Sequence, residues 1–433
     1  MRKVLVITYY WPPSGGAGVQ RWLKFTRYLR EFGWEPVIYT PENPEAPATD
    51  ETLLKEVPDN LEIIQTKIWE PYQLYKRFVG QSKEEKVNAG FLSEKEKPGM
   101  AEKLSVWIRG NLFIPDARRF WIKPSIRYLK KYLKNNPVDA IVSNGPPHST
   151  HLIALGLKKA YDIPWLADFR DPWTQIDFYD QLSLSRYADR KHHKLERNVL
   201  EKADRVVTVS KNWGASFRQL GAKSVEVITN GYDEADFKNL LKPRGDKFEL
   251  IHIGAINKDR NAENLWQAIE ELVSENQYFA DHLKIKLIGK NDFTVIQSID
   301  KHKLSGCTER ISYLPHQQAI SQASQAAILL LPLNNTPNVM GIIPGKLFEY
   351  LALKRPVLCI GPPEGDSAQI LQETGSGTTY NFSDKHGIKQ FLQIKFRQFM
   401  EGKPLMPQSQ YSHYSRYNLT RAMVRQLDSI ADR

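Results

Sequence analysis

The chain repeats an alternation of short apolar strands and amphipathic helices, and this pattern constrains the fold most. Lys3 to Tyr10 is apolar and β-branched, Trp11 to Gly18 carries turn residues, Gln20 to Phe32 has helical spacing, and Pro36 to Thr40 is a second strand. A strand–helix–strand unit of this kind joins parallel strands. The sequence therefore predicts an α/β protein with a parallel sheet.

The alternation continues and then starts again in the second half of the chain. Further strands are predicted at Ala140–Ser143, Trp165–Phe169, Arg205–Ser210 and Val225–Thr229, and after Phe248–Gly254 at Lys284–Gly289, Ile311–Leu314, Ala327–Leu333 and Pro356–Ile360. A polar run with Pro243 and Gly245 separates the halves and is typical of a linker. We predict two doubly wound domains, residues 1–238 and 239–407, followed by a polar helix over 408–433.

Apolar runs and cysteines indicate where such a protein resides. The longest apolar runs, such as Ala326 to Leu333, have about eight residues, whereas a membrane-spanning helix needs about 20. The N-terminal apolar stretch meets Trp11-Pro12-Pro13 instead of a small-residue cleavage site. Two cysteines, Cys307 and Cys359, cannot form a disulfide framework in 433 residues. These observations predict a cytoplasmic protein.

Positive charge is concentrated in one segment. The formal net charge is +11, and residues 67–134 hold sixteen basic against seven acidic residues, interleaved with aromatic ones. Such a mixture suits an anionic membrane surface or a nucleic acid, although no known nucleic-acid motif accompanies it. A solvated helical insertion with a packed aromatic face is an equally good interpretation.

The first glycine-rich loop, Trp11 to Gly18, lies between a strand end and a helix start. Glycines there, Gly15 and Gly16 among them, allow close backbone approach, and the helix dipole favours an anion. A dinucleotide fingerprint beginning at Gly16 is interrupted, because Arg21 stands where its third glycine is expected. A phosphate-facing or sugar-facing loop and a tight structural turn both remain open.

A second group of polar residues follows two predicted strands. Asp168 and Asp171 flank Arg170 at a strand's carboxyl end, where open α/β sheets bind ligands, so a carboxylate could orient a hydroxyl or act as a base. The alternative is an ion pair of Arg170 with an aspartate, covered by Trp173. His148 starts the helix after the preceding strand, and it could be catalytic or structural.

The third constellation, Gly341 to Ala352, is the most specific. Pro344 and Gly345 open a helix that carries Lys346 and Glu349 on one face. A helix N-terminus with Lys346 suits a diphosphate, and Glu349 could accept hydrogen bonds from two ribose hydroxyls. Arg260, after the first strand of the second half, could deliver a second cation to the same anion. The alternative is an ordinary surface Lys–Glu pair.

Together these residues resemble the retaining glycosyltransferases of family four, which have the GT-B fold. The likeness rests on Tyr9-Tyr10-Trp11-Pro12-Pro13 with Gly16 and Arg21, on Ala203-Asp204 to Ser210 and Ile228 to Phe237, and on Lys346-Leu347-Phe348-Glu349-Tyr350 with Arg355-Pro356-Val357. The resemblance implies two Rossmann-like domains with a cleft between them and a C-terminal helix that crosses back to the first domain.

The resemblance also implies residue roles. A nucleotide-sugar, with UDP or GDP, would be the donor, and Arg260 and Lys346 would neutralise its diphosphate without an obligatory metal. Glu349 would hold the ribose, backbone near Leu314 would meet the base, and Gly15 and Gly16 would face the diphosphate and sugar. Asp171, Asp168 and His148 would form the catalytic and acceptor-binding set.

One departure from the family pattern concerns the sugar. Much of the family carries two glutamates separated by seven residues, but Gly341 stands eight positions before Glu349. Backbone near Val339 to Ile342, Gly341 included, or a group elsewhere would take over this role. The identity of the donor sugar therefore stays open.

The sequence predicts an enzyme that moves a hexosyl group, with retention, to a glycan or lipid-linked acceptor in surface polysaccharide or glycolipid synthesis. The protein would be cytoplasmic, peripheral at the inner face of the cell membrane if the basic segment binds lipid, and would not bind nucleic acid. Three alternatives stay open: a GT-B epimerase that hydrolyses its nucleotide-sugar, a basic nucleic-acid-binding protein without catalysis, and a nucleotide-dependent oxidoreductase, against which the Arg21 interruption of the glycine fingerprint counts.

Overall fold

The structure is a computed structural model that describes residues 1–46, 48–70, 100–237, 246–312, 314–405 and 411–432. The chain divides into two compact units, Met1–Asn230 with Arg416–Arg433, and Gly231–Ser415. Most of the predicted linker, residues 238–245, lies outside the described residues, as do residues 71–99 of the basic segment and 408–410 of the predicted final segment.

The described part of the first unit contains a parallel sheet of seven strands in the order β3-β2-β1-β4-β5-β6-β7. The strands are β1 (Arg2–Ile7), β2 (Trp34–Pro41), β3 (Glu62–Thr66), β4 (Ala140–Gly145), β5 (Trp165–Phe169), β6 (Arg205–Thr208) and β7 (Val225–Val227). The helices are α1 (Ala17–Leu29), α2 (Met100–Leu112), α3 (Arg119–Asn135), α4 (Ser149–Tyr161), α5 (Arg186–Lys202) and α6 (Lys211–Gln219).

The described part of the second unit repeats this plan with six parallel strands in the order β10-β9-β8-β11-β12-β13. The strands are β8 (Phe248–Ile253), β9 (Leu283–Ile288), β10 (Thr308–Ile311), β11 (Ile328–Pro332), β12 (Val357–Ile360) and β13 (Gly377–Tyr380). The helices are α7 (Glu263–Glu275), α8 (Gln277–His282), α9 (Phe293–Lys301), α10 (His316–Ala323), α11 (Gly345–Leu353), α12 (Asp366–Glu373) and α13 (Lys385–Met400).

The last helix, α14 (Arg416–Ala431), belongs to the first unit. Its apolar residues from Leu419 to Ile430 join the core that Trp22 and Phe25 of α1 help to form. Trp34 Nε1 also donates a hydrogen bond to Asp428 Oδ1 at 3.0 Å. The first strand, β1, and the last helix, α14, therefore belong to the same unit.

In both sheets the order in which strands are added reverses at one strand. Ligands of open α/β sheets bind at such a switch point, beside the carboxyl ends of the strands. In the first unit β1 lies between β2 and β4, and in the second β8 lies between β9 and β11. The central strands are almost completely buried, as expected for parallel strands covered by helices on both faces. The loops that follow them therefore carry the residues available to a ligand.

Candidate functional site

The second unit presents its site where β8 ends. Gly254 follows the strand with φ +100°, and a Cβ added to it would lie 2.7 Å from Lys346 Nζ. A side chain at this position would be strained by the positive φ and would require the Lys346 ammonium to shift. The glycine therefore lets the Lys346 ammonium lie directly against the backbone at the strand's carboxyl end.

Lys346 is partly buried at the start of α11, and its ammonium is held by a buried histidine. Its Nζ donates a hydrogen bond to His252 Nε2 at 3.2 Å, while His252 Nδ1 donates to the carbonyl of Leu330 at 2.9 Å. Burial, and next the positive charge of Arg260, lower the pKa of Lys346 to about 7, against the opposing effect of Glu349. Burial also lowers the pKa of His252 well below its usual value. Near neutral pH the site thus holds a cation that an incoming anion would stabilise.

Arg260 ends a short 3-10 helix, Lys258–Arg260, that follows β8. Its Nε donates to Asn334 Oδ1 at 2.6 Å, and its Nη1 donates to the carbonyl of Ala255 at 3.1 Å. The backbone of the same two loops is joined where Asn335 N donates to the carbonyl of Asp259 at 2.8 Å. These bonds hold the guanidinium at the switch point, where its charge acts on Lys346.

Glu349 lies one turn further along α11 and is partly buried. Its Oε1 accepts a hydrogen bond from His316 Nε2 at 2.9 Å, so Glu349 pairs with a histidine of α10, unlike the Lys–Glu surface pair of the alternative interpretation. Leu314 precedes α10 and packs, partly buried, against the core. The structure thus brings Lys346, Arg260 and Glu349 to one region of the unit.

Gly341 and Ile342 lie in the segment that leads to α11. Gly341 is buried and donates its N–H to the carbonyl of Asn338 at 3.1 Å. The carbonyl of Ile342 accepts a hydrogen bond from Ser367 Oγ at 2.7 Å. Both backbone groups are therefore already engaged within this segment.

The first glycine-rich loop of the other unit leads into α1. Gly15 N donates to the carbonyl of Ala48 at 2.8 Å, and a Cβ on Gly15 would lie 3.2 Å from the Cβ of Ala48. Gly16 is the residue before α1. The loop is thus fixed against the segment around Ala48, and it stands at the carboxyl end of β1.

Asp168 has a structural role that differs from the catalytic one predicted. It is completely buried, and its oxygens accept hydrogen bonds from Arg21 Nε at 2.8 Å, Arg21 Nη2 at 3.0 Å and Trp22 Nε1 at 2.7 Å. Arg21 also donates to the carbonyls of Ile228 and Thr229, both at 2.9 Å. Asp168 therefore neutralises a buried arginine that joins α1 to the end of β7. Of the two aspartates, Asp171 and not Asp168 approaches Arg170, as in the alternative interpretation.

Asp171 and His148 line a cavity of about 310 Å³ in the first unit. The Asp171 side chain is 38% exposed, and its Oδ2 lies 3.5 Å from Arg170 Nε. His148 is 7% exposed and stacks on Trp173 with ring centroids 4.6 Å apart. Burial lowers the pKa of His148 well below its usual value, so the imidazole is neutral near pH 7. Within the described residues its Nδ1 has no hydrogen-bond partner.

The described part of the basic segment is both packed and exposed. Trp121 is buried and stacks on Tyr39 with centroids 5.2 Å apart, as the packed insertion requires. Trp69, Trp107 and Phe120 stay 55%, 42% and 43% exposed, and the Trp69 and Phe120 rings are in contact. Part of the aromatic face thus remains open to another surface.

The described residues contain neither a candidate metal cluster nor a candidate membrane-spanning helix. In that part of the chain, no group of three or more histidine, cysteine, aspartate or glutamate side chains is arranged to hold a metal ion. No helix there is both long and apolar enough to cross a bilayer.

Three important residues were not predicted from the sequence. His252 is an isolated histidine inside an apolar strand, and Asn334 follows another such strand without a recognisable motif. Arg21 is evident from the sequence as an interruption of the glycine fingerprint and as part of the family resemblance, but neither observation predicts its ion pair with Asp168. Its position between Val19 and Trp22, on the apolar side of α1, is a signal that the arginine is buried.

One family model matches part of the chain. Residues 90–236 match the family model Glycosyltransferase Family 4. No curated protein sequence matches the chain.

Solved structures match over nearly the whole chain. Anabaena HepE in complex with UDP-glucose has 12% identity and a TM-score of 0.62, over 99% of this chain and 100% of that one. The UDP-forming α,α-trehalose-phosphate synthase from Burkholderia vietnamiensis has 11% identity and a TM-score of 0.58, over 99% and 97%. A putative UDP-N-acetylglucosamine 2-epimerase from Listeria monocytogenes has 10% identity and a TM-score of 0.56, over 99% and 96%.

At these identities the structural likeness is one of fold. The predicted fold class, with two Rossmann-like parallel sheets as in the GT-B fold, is confirmed. The family model, which matches residues 90–236, supports a glycosyltransferase, and the structural likeness supports the GT-B type of fold.

Proposed function

We propose that this protein transfers a hexosyl group from a UDP- or GDP-sugar to a glycan or lipid-linked acceptor, with retention of anomeric configuration, in surface polysaccharide or glycolipid synthesis. The observation that carries the proposal is the pair of cations, Lys346 and Arg260, at the switch point of the second unit. The matched family model and the UDP-glucose complex of HepE support it.

On the donor side, the diphosphate would lie against Lys346 and Arg260. As the sugar leaves, negative charge grows on the diphosphate, and two fixed cations stabilise that charge without an obligatory metal. The N-terminal end of α11 adds backbone dipoles of the same sign. Glu349 would accept from the ribose hydroxyls, backbone near Leu314 would meet the base, and backbone near Gly341 and Ile342 would meet the sugar.

On the acceptor side, Asp171 and His148 line the cavity of the first unit. The exposed carboxylate of Asp171 would accept a hydrogen bond from the hydroxyl that attacks the sugar. Neutral His148 would contact the sugar or the acceptor through its unpartnered nitrogen. Gly15 and Gly16 would offer backbone to the sugar and diphosphate.

A second candidate is a nucleotide-sugar epimerase that hydrolyses its substrate, because the Listeria monocytogenes epimerase has a similar fold. Such an enzyme would release free sugar in the absence of any acceptor. A non-catalytic nucleic-acid-binding protein would instead bind DNA or RNA in a salt-dependent way and be indifferent to Glu349→Ala.

Calorimetry with UDP and GDP tests the donor site. Lys346→Ala and Arg260→Ala should each weaken binding of the preferred diphosphate about tenfold or more, because each removes a charge-assisted contact. Arg397→Ala, which removes an exposed arginine on α13 of the same unit, is the matched control and should bind normally. Unchanged affinity in both site variants would refute the donor-site assignment.

A further inference from the structure

The cavity of the first unit combines aromatic walls with cationic side chains. Its volume of about 310 Å³ is at the lower end of the ~300–1,000 Å³ common for small-molecule pockets. Its aromatic lining comes from Tyr10, Phe113, Trp173, Phe178 and Tyr179. Aromatic faces of this kind suit the apolar faces of a sugar ring. Arg109, Arg118 and Arg170 also line it, together with Asp116 and Asp171.

The wall that carries Arg109 is fixed by close packing. A Cβ on the next residue, Gly110, would lie 2.8 Å from the carbonyl oxygen of Leu182, so α2 approaches this backbone as closely as a glycine allows. Asn111 Nδ2 donates to the carbonyl of Ser183 at 3.2 Å, and Asn111 Oδ1 accepts from Ser185 N at 2.7 Å. The position of Arg109 at the cavity is thus set by its helix.

Two of the charges in the lining are already engaged. Asp116 accepts hydrogen bonds from Ser149 N at 2.9 Å and from Ser149 Oγ at 2.7 Å, and so caps the start of α4. Arg118 pairs with Glu70 at 2.9 Å and lies over the ring of Tyr9, 4.5 Å from its centroid. Asp116 and Arg118 therefore interact with a ligand less strongly than unpaired groups would.

The other two arginines lack equivalent partners. Arg170 Nη1 is buried without a hydrogen-bond partner in the described residues, and Arg170 Nε has only the 3.5 Å approach of Asp171. Arg109 forms no ion pair within the part of the chain that the structure describes. A buried guanidinium N–H without a partner is costly, and a bound acceptor atom would remove that cost.

We infer that this cavity takes a sugar that bears an anionic group, a phosphate or a carboxylate, and that Arg109 and Arg170 bind that group. The inference rests on the proposed function, since it names the class of acceptor for the same site. Planar guanidinium groups match both anions because they can donate two parallel hydrogen bonds. With Arg118 already paired, Asp116 and Asp171 balance the two other arginines of the lining in number, so the inference rests on guanidinium groups left without full partners among the described residues and not on a net charge of the cavity.

Calorimetry on the full chain can test this with glucose, glucose 6-phosphate and glucuronate as probes. Each titration is made with saturating UDP, so that a phosphate cannot occupy the donor site. At least one anionic probe should bind about tenfold or more tightly than glucose, and Arg109→Gln and Arg170→Lys should each reduce that preference about tenfold. Arg127→Gln, an exposed arginine on α3 outside the lining, is the control.

The outcomes separate the sources of the anion and the two proposals. Preference for glucose 6-phosphate assigns a phosphate, and preference for glucuronate assigns a carboxylate. Two results would overturn the inference: equal affinity for all three sugars, or an anion preference that Arg109→Gln reduces no more than the control Arg127→Gln does. In either case, binding of UDP would still uphold the proposed function. Absence of binding to both UDP and GDP would instead refute the proposed function. Arg109→Gln keeps the test decisive if Arg170→Lys fails to fold.

Discussion

Lys346 is the residue whose charge depends most on its surroundings. Burial and the nearby Arg260 lower its pKa to about 7, so the free protein loses this positive charge as the pH rises through about 7. A bound diphosphate would favour the ammonium and raise that pKa again. Binding above about pH 7 must therefore take up a proton, and linkage makes the affinity fall as the pH rises.

Titration of the preferred diphosphate between about pH 7 and 9 measures this effect. The dissociation constant should rise by up to about tenfold per pH unit, because one proton is taken up. The secondary phosphate ionisation, with a pKa of about 6, is complete in this range and does not contribute. Calorimetry in buffers of different ionisation enthalpy counts the proton directly. Lys346→Ala should take up none, and a flat profile for the unmodified protein would contradict the assignment.

The sequence located the donor-side residues better than the buried ones around them. Lys346, Arg260 and Glu349 could be predicted because a helix start and a strand end place charged side chains at known positions. His252 could not, since a polar residue in a buried strand gives no sign of its partner until Leu330 and Lys346 are in place. Asp168 could be placed at a strand end, but its partner is 147 residues away.

The Arg21–Asp168 pair acts between elements, because it joins α1 to β5 and to the end of β7. Asp168→Asn would leave a buried guanidinium without its counter-charge, and removal of one partner of such a pair costs about 3–5 kcal/mol. We expect the urea midpoint of the first unit to fall accordingly, with the affinity of the folded protein for UDP unchanged. Equilibrium unfolding followed by tryptophan fluorescence measures the loss.

Asp171→Asn is the matched control, since it makes the same chemical change three residues later at a partly exposed carboxylate. It should alter the free energy of unfolding by less than about 0.5 kcal/mol. A catalytic Asp168 would behave the other way round, with normal stability and lost turnover. That result would restore the role first predicted for it.

At the same scale, the central strands and the edge strand β7 were predicted, whereas the other edge strands were missed or misplaced. β1 and β11 are continuous apolar runs, so their strand character is evident. β3 and β13, at sheet edges, were missed because they bury one residue and none, respectively. The prediction of a strand at Ile311–Leu314 was wrong, because the edge strand β10 runs through the polar residues Thr308 to Arg310 and ends at Ile311.

For the whole molecule, the pattern of strands and helices indicated two similar halves, whereas only the family resemblance implied that the last helix crosses back to the first domain. The apolar residues of α14 recur at helical spacing, which predicts a docked helix and not the surface that receives it. Met423 and Leu427 pack in the core of the first unit, so this unit provides the surface on which α14 docks. The C-terminal helix thus contributes to the core of the unit that holds the cavity lined by Asp171 and His148, while two chain connections lead to the other unit.

The distribution of charge over the molecule supports a further proposal, that the protein is peripheral to an anionic membrane. The excess of nine positive charges in residues 67–134 accounts for most of the net charge of +11. On the described part of this segment, α3 exposes Lys123, Arg127 and Lys130 beyond the exposed ring of Phe120. Basic residues near an anionic surface contribute about 1 kcal/mol each, and exposed aromatic rings sit well at the interface.

Vesicle flotation tests that proposal, because electrostatic binding must depend on anionic lipid and on these side chains. Changing Lys123, Arg127 and Lys130 together to Gln should weaken binding to vesicles with phosphatidylserine by up to about 3 kcal/mol, on the order of 100-fold. The matched control changes Arg190, Lys194 and Arg197, which are exposed on α5, to Gln and removes the same charge. Because the two variants have equal net charge, weaker vesicle binding by the α3 variant than by the α5 variant would assign binding to the face of α3. If both variants bound neutral and anionic vesicles equally, the proposal would be contradicted.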